Sequence, residues 1–178
     1  MNRRTSRSRL AIVVLLPLVF WLSAIIVLAQ DSTTAKTSAD KTFGPADLFQ
    51  SFPKIELGMK FPEVKQAVEK TGAHPGGFKD SELAWDGKFN DLNGRATVLF
   101  KQETGAFQIA VIVQVFEKRS EVHELWVKKI TERLGAPASV DDNSIHLSKL
   151  WRLKDGVVLE LRMLKDANNP VLDIHWVK

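Results

Sequence analysis

The sequence predicts an α+β domain: one six-stranded antiparallel sheet with two helices on one face, built from a duplicated α-β-β-β unit. Three observations carry that expectation. The run Ser120–Pro137 places Val122, Trp126, Ile130 and Leu134 at every fourth residue, a helix period that Leu125 and Val127 widen. Short alternating apolar runs bounded by turn residues follow it, as they follow an earlier helix-like run at Phe61–Pro75. The two halves also share landmarks. Glu69-Lys-Thr-Gly-Ala-His-Pro75 parallels Glu132-Arg-Leu-Gly-Ala-Pro137, and Trp85 and Trp151 each come before a Gly-containing turn and two apolar strands.

Residues 1–29 read as an export segment. Arg3, Arg4, Arg7 and Arg9 precede an uncharged apolar run, Leu10–Leu28, which ends in Val27-Leu28-Ala29. That is the order of a signal peptide cut near Ala29. The run also approaches the roughly 20 residues that span a bilayer, so an uncleaved anchor fits as well. Either reading puts the remainder outside the inner membrane, periplasmic or extracellular, tethered only if residues 10–28 persist. Residues 30–43 are polar and Ser/Thr-rich, a linker pattern, and residues 44–178 hold one folded domain.

Within that domain, Gly44-Pro45 opens a short helix with Leu48, Phe49 and Phe52 on one side. Pro62 and Glu63 suit the first turn of a helix striped by Val64, Ala67 and Val68, and Gly72 stops it. Leu83, Trp85 and Phe89 alternate in the first strand, and Asn93-Gly94 signals the tight turn into Arg95–Lys101. Phe107–Phe116 is apolar on both faces, so it belongs in the middle of the sheet. In the long helix Ser120 is the expected cap, and Gly135-Ala-Pro137 the stop. Runs over 145–151, 157–163 and 172–177 complete the second unit, with Asp155-Gly156 and 167–170 as turns, giving the expected order 1-2-3-6-5-4. The face of Phe107–Phe116 that holds Ala110 and Ile112 then needs cover, from Pro45–Phe52 or from a second molecule.

Charge adds a constraint on partners. Of 25 Lys+Arg against 21 Asp+Glu, the four surplus arginines all lie in the export segment, so the folded part is balanced and nucleic acid is not an expected partner. Cysteine is absent, which excludes disulfides, thiolate metal sites and a lipid-modified N-terminal Cys.

Ile55–Pro75 (Gly58-Met59, then Glu63-Val64, then Gly72-Ala73-His74-Pro75) resembles the opening of SmpA/OmlA-type outer-membrane assembly lipoproteins and of β-lactamase-inhibitor-protein-like repeat modules. The resemblance covers about twenty residues and implies an exported binding or assembly module.

Reaction chemistry is not written in the sequence. No nucleophile elbow, phosphate loop, dinucleotide fingerprint or zinc-protease motif occurs, and His74, His123, His146 and His175 never fall at ligand spacing. Asp141-Asp142-Asn143 lacks the glycine and distal glutamate of a calcium loop and reads as a plain loop. Trp85, Trp126, Trp151 and Trp176 lie on predicted apolar faces and are expected in the core. The expected function is therefore a non-catalytic exported domain that binds a protein or cell-envelope component, with no cofactor. Its expected partner-binding residues are Ala110, Ile112 and Phe116; its rivals are a small hydrolase or metal-binding protein using His146, Arg152, Asp173 and His175 on the polar sheet face, and a self-associating structural domain, a homodimer, that rests on the doubly apolar strand Phe107–Phe116.

Overall fold

A computed structural model describes residues 42–77, 79–166, 168 and 170–178. The export segment and nearly all of the linker expected from the sequence lie outside the described residues. Among the described residues no helix is long and apolar enough to cross a membrane.

The fold is α+β, with one open antiparallel sheet. A short helix α1 (Pro45–Leu48) and helix α2 (Phe61–Glu69) precede strands β1 (Glu82–Phe89), β2 (Leu92–Lys101) and β3 (Gly105–Gln114). Helix α3 (Arg119–Leu134) leads into β4 (Ser139–Asp142), β5 (His146–Arg152), β6 (Val158–Leu164) and β7 (Val171–Val177). The sheet order is β1-β2-β3-β7-β6-β5-β4, seven strands rather than the expected six. The additional strand is β4, at the edge beside β5, where a plain loop was expected. All four of its residues are exposed, so it carries no apolar alternation for sequence reasoning to detect. Apart from that edge, the two-sided apolar strand β3 stands in the middle, paired with the last strand, as its composition requires.

Ile109, Val111 and Val113 of β3 point into one core with Leu172, Ile174 and Trp176 of β7 and with Trp126, Ile130 and Leu134 of α3. Val64 and Val68 of α2 join the same layer. Trp85, Trp126, Trp151 and Trp176 are all buried, and two tie distant segments together. Trp151 Nε1 donates to the Gly135 carbonyl (3.0 Å), and Trp176 Nε1 donates to the Phe43 carbonyl (2.8 Å).

Several local expectations are corrected. The Pro45–Phe52 segment does not cover the far face of the sheet; it packs into the helix layer. Phe49 meets Trp126 edge-on at 5.2 Å, and Phe52 lies 5.6 Å from Trp85. The first hairpin turns at Asn90-Asp91, both at positive φ (51° and 65°), and Asn93-Gly94 lies inside β2. Asn and Asp tolerate that conformation, so they compete with Asn-Gly for the turn. Gly94 instead allows β2 and β3 to approach closely, since a Cβ there would sit 2.4 Å from the Ile112 carbonyl oxygen. Ser120 is the second residue of α3, whose cap is Lys118 at φ 56°, without a side-chain hydrogen bond. The buried stripe of α3 is His123, Trp126, Ile130 and Leu134; Val122 and Val127 are half-buried, and Leu125 faces solvent.

Candidate functional site

The helix-free face of the sheet is where the described residues leave chemistry uncovered. Strand parity puts every second residue of β1–β7 there, and the register lines them up in cross-strand rows. One row runs Asp86, Arg95, Ile112, Asp173, Arg162, Ser148, Asp141 from edge to edge. The next holds Thr97, Ala110, His175 and Glu160 on β2, β3, β7 and β6. Charge alternates across the first row, with Ile112, 39% exposed, between its halves.

The second half of this face is a half-buried polar cluster. Ser148 Oγ donates to Glu160 Oε1 (2.7 Å), and Arg162 Nη2 donates to both Glu160 oxygens (3.2 Å each). Gln108 Nε2 and His175 Nδ1 are 3.2 Å apart, and His175 Nε2 lies 3.7 Å from Asp173 Oδ2, beyond hydrogen-bond reach. Three atoms of this cluster, Arg162 Nε, Asp173 Oδ1 and His175 Nε2, are buried without a hydrogen-bond partner among the described residues. In the first half, Arg95 Nη1 and Asp86 Oδ1 are 3.8 Å apart and both side chains are mostly solvated.

The sequence-derived candidates divide. Asp173 and His175 come together on β7 as strand parity implies. His146 does not join them: it sits at the start of β5, with Nε2 3.1 Å from Asp141 Oδ2 in the edge hairpin. Arg152, at the other end of β5, is exposed and opposite Val158. Among the described residues no group of three or more potential ligands gathers for a metal ion. Ala110 is closed over (8% exposed), Ile112 is open, and Phe116, in the segment after β3, is 78% exposed. Arg162, Glu160, Ser148, Arg95 and Asp86 were not singled out from the sequence. Their parity was readable, but their neighbours are fixed by cross-strand register, which no local pattern encodes.

His123, which the sequence reading left outside the helix stripe, is fully buried on the core side of α3. Its Nδ1 is 3.2 Å from Glu124 Oε1, and its Nε2 has no partner. Burial pushes its pKa below the ordinary value, against the pull of Glu124, with Lys149 acting in the same direction as burial.

No family model, no curated protein and no solved structure matches the chain. The reading of the site rests on its own geometry.

Proposed function

We propose that the chain is exported, by its N-terminal segment, as a non-catalytic binding domain, and that the helix-free sheet face is its docking surface for another protein. The observation that carries this reading is exposed Ile112 set in one cross-strand row between the charged pairs Asp86 and Arg95 and Asp173 and Arg162. An exposed apolar side chain ringed by charged groups is the pattern of a protein interface, an apolar centre with a polar rim. The likeness of Ile55–Pro75 to exported assembly and inhibitor-like modules agrees with it.

The same reading includes a duplication, in which each half is one α-plus-sheet unit. Register supports it. Trp85 lies opposite Ala96, and Ala96 opposite Val111; Trp151 lies opposite Leu159, and Leu159 opposite Trp176. The halves meet with Ala110 opposite His175. Even the additional edge strand has a counterpart, since Gly76 bridges to Ala84 as Ser139 pairs with Leu150. On this reading, the second unit specialised: its face carries Glu160, Arg162, Asp173 and His175 where the first carries smaller or neutral groups.

Ile112→Asp tests the surface reading. The variant keeps its far-UV circular dichroism and its unfolding free energy within about 0.5 kcal/mol if Ile112 is a surface residue. Global unfolding would make it core and end the proposal. Stoichiometric zinc binding abolished by His146→Ala or His175→Ala would replace the binding reading with a metal site.

A further inference from the structure

We propose that the protein docked on this face is a second copy of the same chain. The inference rests on the docking-surface reading above and adds the identity of the partner. Read from β1 to β6, the central row is Asp86, Arg95, Ile112, Asp173, Arg162: negative, positive, apolar, negative, positive. Reversed about Ile112, every charge meets its opposite. A two-fold axis parallel to the strands, passing over Ile112 between two facing sheets, performs that reversal. Arg95 then faces the second copy's Asp173, Asp86 faces its Arg162, and Ile112 faces Ile112.

The adjoining row follows the same operation. There His175 comes opposite the second copy's Thr97. In that row Ala110, the residue on the axis, is small and allows the sheets to close. An axis perpendicular to the strands would instead set Arg95 on Arg95 and Asp173 on Asp173, so the charges select one arrangement. That arrangement is the aligned packing common to stacked sheets. An unlike partner has no reason to find a face that is its own complement.

The only in-chain cover that the sequence suggested, Pro45–Phe52, is committed to the opposite layer. Five strands at about 4.8 Å and three to four residue pairs along each give roughly 500–600 Å² per copy. The total, about 1,000–1,200 Å², is at the low end for a specific interface, so the dimer is reversible.

The full chain contains no cysteine, which makes the test clean. Ile112→Cys, treated with a short bismaleimide, is expected to give a crosslinked dimer, whereas Leu125→Cys, exposed on α3, gives none. Arg95→Asp or Asp173→Arg, each added to Ile112→Cys, lowers the dimer yield at least about tenfold by placing like charges face to face. The two reversals together restore it. Absence of the dimer, or a dimer indifferent to both reversals, overturns the second-copy assignment. If Ile112→Asp stays folded while no dimer forms, only that assignment fails and the docking surface stands; if Ile112→Asp unfolds, both fall.

Discussion

His123→Leu should change how stability depends on pH, in a direction the structure fixes. The imidazole is fully buried, with Nε2 unpartnered, and burial lowers its pKa below 6.5. The charged groups acting on it are Glu124 on the same helix, which opposes the shift, and Lys149 on β5, which reinforces it. Above pH 6.5 neither folded nor unfolded chain protonates this side chain, and stability is full. Below 6.5 the unfolded chain takes the proton first, so stability falls as pH falls, by at most about 1.4 kcal/mol per pH unit. The loss ends where the folded imidazole also protonates; at pH 5 its ceiling is about 2 kcal/mol. Urea unfolding at pH 7.5 and pH 5.0 measures it, and comparison with His123→Leu cancels the carboxylates common to both. Wild type should lose more stability than the variant between those pH values. At pH 7.5 the variant should match or exceed wild type, because it removes a buried nitrogen left without a hydrogen bond. Parallel pH profiles, or a variant weaker by more than about 2 kcal/mol at pH 7.5, would refute this account of the site.

Other outcomes follow from single contacts. Gly94→Ala should cost about 1–3 kcal/mol in urea unfolding, since its Cβ would press on the Ile112 carbonyl, Val113 and Phe89; a neutral variant would show that β2 and β3 do not approach so closely. Trp176→Phe should cost about 1–3 kcal/mol by leaving the Phe43 carbonyl without its donor, and hydrogen exchange should rise over 42–57. On the proposed export by residues 1–29, mass spectrometry of the mature chain should find Gln30 at its N-terminus; a retained Met1 or Asn2 would mean that residues 10–28 serve as an anchor.

The central architecture was legible because its signals are local. Phe107–Phe116 declares its place in the sheet by having apolar side chains on both faces, and the Trp126, Ile130, Leu134 stripe declares its helix. The misses share a physical cause. β4 exists because β5 offers it a backbone edge, and its sequence Ser-Val-Asp-Asp carries no pattern of its own. The Asn90-Asp91 turn prevailed over Asn93-Gly94 because the space beside Ile112 demands a glycine within β2. His123 displaced Val122 from the stripe because a spacing of three then four residues tracks the buried face as well as one of four. The site was readable only as parity. That Arg162 lies between Ser148 and Asp173, and Ile112 between Arg95 and Asp173, is a fact of register.

The central claim is that the helix-free face is a self-complementary surface, and a distance measures it most directly. A spin label on Ile112→Cys in the otherwise cysteine-free chain reports the separation between copies by electron–electron dipolar coupling. Facing sheets stack about 10 Å apart, so the account predicts a narrow intermolecular distance within roughly 20 Å, abolished by Arg95→Asp and regained when Asp173→Arg is added. A label that shows no dipolar coupling at concentrations where the chain is folded, or a distance unchanged by those reversals, would contradict it.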